Sequence, residues 1–83
     1  MEETEIGKVT HYYNKIGVAI IELSETLKVG DTIHIKNDST DLEQTVESLQ
    51  IEHENIEEAK AGEVIGLKVK DKVREGDTVY KKA

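Results

Sequence analysis

Cysteine is absent from the 83 residues, which excludes disulfides, thiolate zinc sites and thiol nucleophiles. Proline is absent too, so the turns must rely on Gly, Asn and Asp. There is no Phe or Trp and there are only three Tyr, so the core must be built from aliphatic side chains. The longest uncharged apolar run, Val18-Ala19-Ile20-Ile21, is far shorter than the roughly 20 residues a membrane-spanning helix needs. The opening Met1-Glu2-Glu3-Thr4-Glu5 is acidic, the opposite of a secretory leader's basic start. Charged residues make up 35 % and apolar residues 36 %, a globular mixture rather than a disordered one. Since domains commonly run to roughly 100–150 residues, the length suits one domain. A single cytoplasmic domain over residues 1–83 is expected, with residues 1–5 as a flexible tail and no membrane partner.

The apolar set points to strands. Eight Val, nine Ile and seven Thr outnumber five Leu and four Ala, and β-branched side chains suit a pleated, half-buried surface. Alternation and punctuation place strands at 6–13, 16–23, 32–36, 64–70 and 78–80. A further one at 43–53 changes phase between Val46 and Leu49, which suggests a bulge. Asn55 to Ala61 suits one helical turn, with Asn55 as cap and Gly62 as stop. No apolar stripe of helical period runs for two turns, which excludes a helical bundle. The expected interior is Val9, Val18, Ile20, Ile33, Ile35, Val46, Ile51, Ile65, Leu67, Val69 and Val79.

One short pattern recurs. Lys28-Val29-Gly30-Asp31 is echoed by Arg74-Glu75-Gly76-Asp77 and more loosely by Lys60-Ala61-Gly62-Glu63, each just before a strand. A catalytic carboxylate pair, Asp31 with Asp77, is one reading. Turn chemistry is the better one: Gly takes positive φ at little cost, and the acid ties the turn back to the backbone.

Gly7-Lys8-Val9-Thr10, Lys15-Ile16-Gly17-Val18-Ala19 and the stretch Leu27 to Ile35 together resemble domain two of translational GTPases such as elongation factor Tu. They are similar as well to the C-terminal barrel of bacterial initiation factor two. The likeness continues in order through Val46 to Ile51, Ala59 to Leu67 and Val73 to Asp77, covering Ile6 to Tyr80. It implies a closed six-stranded antiparallel Greek-key barrel, in agreement with the all-β strand count. No Gly-x-x-x-x-Gly-Lys-[Ser/Thr] loop is present, so no nucleotide site is expected. In the full-length factors such barrels contact transfer RNA or ribosomal RNA. The chain also resembles the accessory C-terminal domain of collagenase-like peptidases, which has no catalytic role of its own.

Charge selects the candidate surface. The net charge is −7, distributed as −3 over residues 1–40, −7 over 41–63 and +3 over 64–83. Lys68, Lys70 and Lys72 are spaced by two and project from one face while strand geometry holds. Arg74 extends this basic strip, and Tyr13, adjacent to Tyr12, is the candidate stacking ring. These five residues are the expected binding set; the bland alternative is an ordinary solvated strand face. His11, His34 and His53 lack ligand spacing, and Ser24, Ser39 and Ser48 lack a nucleophile motif, so neither metal, cofactor nor catalysis is expected.

The resemblance and the strip together lead to a non-catalytic translation-associated module contacting tRNA or the ribosome. The alternative is a protein-interaction domain acting beside a separate enzyme, as in the peptidase-linked barrels. Thirteen Glu, ten Lys, no Cys and one Met also suit a thermophilic source.

Overall fold

β-branched residues lose rotamer freedom in a helix and pack well on a pleated surface, and strands dominate the described residues. The computed structural model describes residues 3–38, 40–52 and 54–82, and among these there is no helix. Ten strands follow in order: β1 (Glu3–Tyr13), β2 (Val18–Leu23), β3 (Leu27–Lys28), β4 (Thr32–Asn37), β5 (Thr40–Thr45), β6 (Leu49–Ile51), β7 (Glu54–Ile56), β8 (Glu58–Ala59), β9 (Val64–Lys68) and β10 (Thr78–Lys82). Eight form one sheet in the order β5-β4-β10-β1-β2-β9-β6-β7, while β3 and β8 pair separately. Every pairing is antiparallel.

The ladder is not the closed six-stranded barrel expected from the sequence. It stays open, with β5 and β7 at its ends. Beyond β9 a side chain takes over from backbone pairing. The buried Gln44 amide of β5 donates from Nε2 to the Lys68 carbonyl at 2.9 Å, and its Oε1 accepts the Lys70 N–H at 2.9 Å. One glutamine thereby satisfies two backbone groups that would otherwise need a strand partner.

Ile6, Val9, Ala19, Ile21, Leu23, Leu27, Ile33, Ile35, Leu49, Ile65, Leu67 and Val79 pack into one core cluster. Of the expected interior, Val18, Ile20 and Ile51 are only half-buried. For β2 the reason is electrostatic. Its two phases are Val18-Ile20-Glu22 and Ala19-Ile21-Leu23, and turning the first inward would bury an unpaired carboxylate. The phase with the smaller Ala19 wins because it leaves Glu22 in water.

Three local expectations are corrected. The helical turn at 55–61 is absent; β7 and β8 occupy it. Pairing of Leu27 with Ala59 seals both side chains from solvent, and a lone helical turn has no such gain to offset its nucleation cost. The phase change after Val46 is a strand break rather than a bulge. Val46 N–H donates to the Asp31 carbonyl and its own carbonyl accepts from Gly30 N–H, both at 2.8 Å. Bulges do interrupt β1, between Glu5 and Gly7 against β10 and between Val9 and His11 against β2. Finally, Glu3–Glu5, expected in a tail, pair with Tyr80–Lys82.

The repeated Gly–acid pattern is structural in all three copies. Gly30, Gly62 and Gly76 have φ of +99°, +89° and +91°, as the third position of a type II turn requires. In each turn the acid's N–H donates to the carbonyl of the basic residue three back, at 3.1 Å. The acid's carboxylate accepts that residue's N–H in return: Lys28 to Asp31 at 2.9 Å, Lys60 to Glu63 at 2.7 Å and Arg74 to Asp77 at 2.8 Å.

Candidate functional site

Strand register arranges the outer face of β1, β2, β9 and β6 in rows. Tyr13, Val18 and Lys68 form one row; His11, Ile20, Gly66 and Gln50 the next; Lys8, Glu22 and Val64 a third. The Glu22-outward phase of β2 is what carries Val18 and Ile20 onto this face. Tyr13 is 48 % exposed, Val64 48 %, and Ile16, in the β1–β2 turn, 62 %. These are three of the four large apolar side chains that stand exposed among the described residues. Two shallow grooves of about 440 and 360 Å³ share Ile20, Gln50, Glu52 and Gly66. Glu52 and Glu63 are among the residues lining the larger groove, and Glu52, in the β6–β7 connection, has a φ of +50°.

The outer face of the other half of the sheet has a different character. His34 of β4 lies between two carboxylates, with Nδ1 2.8 Å from Glu3 Oε2 and Nε2 hydrogen-bonded to Asp41. Ionised carboxylates only accept, so this arrangement favours the doubly protonated ring, which can donate to both. Asp41 and then Glu3 accordingly hold its pKa above the ordinary 6.5. Lys36 Nζ donates to Glu3 Oε1 at 2.8 Å and lies 4.8 Å from the centroid of the Tyr80 ring. Lys36 and His34 pull Glu3 down to about 2. Lys82 and Glu43 add a pair at 2.9 Å. This face satisfies its own charges, whereas the groove face presents uncovered apolar surface.

The basic strip is only partly assembled. Lys68, Lys70, Lys72 and Arg74 are all exposed, but β9 ends at Lys68 and strict alternation stops at Asp71 and Lys72, both exposed. Lys68 and Lys70 border a separate pocket of about 270 Å³ with Gln44, Glu47, Ser48 and Val69. Tyr13 stands across Val18 from Lys68 and meets the His11 ring edge-on at 4.4 Å. The sequence reading missed Ile16, Val18, Ile20 and Gly66 as surface features; Glu22, two residues from Ile20, was the signal that could have set the phase. Among the described residues no group of three or more His, Asp or Glu is placed to hold a metal ion, and Ser39 and His53 lie outside those residues.

The pattern of the family described as Elongation factor Tu domain 2 matches residues 26–80. The chain belongs to that family. Its curated relatives, however, are of another kind. It is 51 % identical over 77 residues to an uncharacterized protease of Methanocaldococcus jannaschii, covering 92 % of this chain and 19 % of the protease. It is 37 % identical over 82 residues to a collagenase of Porphyromonas gingivalis, covering 96 % of this chain and 23 % of that protein. The chain thus spans about a fifth of the length of the curated relatives it matches. In fold it is similar to the C-terminal domain of a Geobacillus thermoleovorans protein described as a U32 peptidase. That likeness has a TM-score of 0.89 at 18 % identity, over 96 % of this chain and 93 % of the other.

These findings overturn the translation-associated reading. The family supplies the fold, but the proteins that carry a similar sequence are named protease and collagenase, and contact with tRNA or a ribosome has no support among them. The fold is all-β and of the domain 2 type. Among the described residues no helix is long and apolar enough to cross a membrane.

Proposed function

We propose that this chain is a non-catalytic accessory domain of the kind joined to U32-type peptidases, and that it works by docking onto a protein. The observation that carries this reading is the match at 51 % identity over nearly the whole chain to one fifth of a protease. A segment similar in sequence is part of a much longer chain in the protease, and the domain similar in fold is the C-terminal domain of a peptidase. The net charge of −7 favours a protein partner over a phosphate backbone, which it would repel.

The test is a titration of the chain into the body of the Methanocaldococcus protease, meaning that protein without its matched 77 residues. Gelatin hydrolysis is followed in parallel. One-to-one binding and no hydrolysis by the chain alone are expected. Hydrolysis by the chain alone, or absence of binding to a body shown to be folded, overturns the reading.

A further inference from the structure

Gly66 is the residue whose identity the fold leaves unexplained. Four of the six glycines have left-handed φ, and a Cβ on Gly7 would meet the Glu22 carbonyl oxygen at 2.6 Å. Gly66 has neither constraint. Its φ lies outside the left-handed region, and a Cβ there would sit 3.5 Å from Val18 Cγ1, 3.8 Å from Ile20 Cδ1 and 3.9 Å from the Gln50 carbonyl oxygen. Those are ordinary contacts. Backbone and packing would both accept alanine, and a glycine within a strand weakens it unless another group approaches closely. Gly66 lines both shallow grooves, between the exposed Ile16 and Tyr13 on one side and Val64 on the other.

We propose that the groove at Gly66 seats an apolar side chain from the peptidase body, with a basic residue beside it that pairs with Glu52. The proposal rests on the docking reading above and assigns that docking its location. Three observations choose this occupant. The relatives place this segment within a chain some five times longer, which supplies a protein surface in permanent reach. The groove is lined by the apolar Ile20, Ile51 and Val64 together with Gln50 and the carboxylates of Glu52 and Glu63, so complementarity asks for an apolar group flanked by a cation. Glu52 has positive φ because it sits in the short β6–β7 hairpin connection, and it makes no ion pair among the described residues, so its carboxylate stands available to a partner.

The experiment measures the affinity of the 83-residue chain and its variants for the folded protease body by isothermal titration. Gly66→Val fills the groove and Ile16→Ser removes an exposed side chain that packing does not need. Each should weaken binding at least tenfold, and Glu52→Lys should do so with a salt dependence opposite to the parent's. Dispersed NMR spectra of every variant establish that it is folded. Binding within twofold of the parent for both Gly66→Val and Ile16→Ser overturns the groove while leaving the docking reading intact. So does loss of binding in the Lys68, Lys70 and Lys72 triple alanine variant with the groove variants unaffected. A parent dimer in sedimentation that Gly66→Val abolishes would assign the groove to a second copy and overturn it equally. Failure of the parent to bind the folded body removes the docking reading itself, and the groove assignment with it.

Discussion

Asp77 and Asp31 occupy the same place in the same turn, yet their surroundings differ. Asp77 is fully buried; its Oδ2 accepts the Arg74 N–H and its Oδ1 accepts Asn37 Nδ2 at 3.0 Å. Asp31 keeps the turn bond but stands partly in water. Removing a buried acceptor leaves its donors unsatisfied, so Asp77→Ala should cost about 2–3 kcal/mol and Asp31→Ala about 1 or less, measured by urea unfolding. Equal losses would show that burial does not set the difference. Gly30→Val and Gly76→Val should each cost more than about 1 kcal/mol, although nothing lies within 4 Å of the added Cβ, because the strain is in φ alone. An unchanged midpoint for both would contradict it. The turns were legible from sequence because basic residue, spacer, Gly and acid form a purely local device. The burial of Asp77 was not, since Asn37 reaches it from 40 residues away.

At the scale of elements, strand existence was far easier to read than strand phase. Ile33 and Ile35 flank His34 in a clean alternation and are fully buried as expected. In β2 both faces are apolar, and only Glu22 distinguishes them. The 55–61 segment failed for a different reason: its local helix cues lose to a distant partner, Leu27. The link from β5 to the segment after β9 was unreadable because a glutamine side chain, rather than a ladder, carries it. Gln44→Leu should therefore cost about 2 kcal/mol and speed amide exchange at Lys70, whose N–H loses its acceptor. Unchanged exchange there would show that the Gln44 bond does not protect this amide. The His34 cluster ties β1 to β4 and β5, and its pH dependence has a definite sign. His34 is raised on folding, so its contribution is complete below about 6.5 and is lost as pH rises through the higher folded value. Glu3 is lowered, so its contribution is complete above about 4.5 and is lost as pH falls toward about 2. Their joint contribution should peak between those limits, and His34→Gln should flatten the alkaline arm. An alkaline arm of equal slope in that variant would assign the pH dependence to other groups.

Over the whole molecule, the outer surface divides into a face that pairs its own charges and a face that leaves apolar side chains uncovered. A small domain buries only about 60 % of its unfolded surface, so a glycine kept where alanine would fit is a loss of stability it can ill sustain. That makes Gly66→Ala the most informative single change. The added methyl restricts the unfolded chain and meets Val18 and Ile20 at ordinary contact distances. It should stabilise by about 0.4–1 kcal/mol, raising the melting midpoint by about 2–8 °C for a chain of this size. The same methyl narrows the groove, so affinity for the protease body should fall as stability rises. A residue retained for structure shows the two quantities falling together; a residue retained for binding shows them diverging. Calorimetry and titration on one preparation of Gly66→Ala read both. A lower melting midpoint would mean that the glycine serves the fold after all, whatever the titration finds.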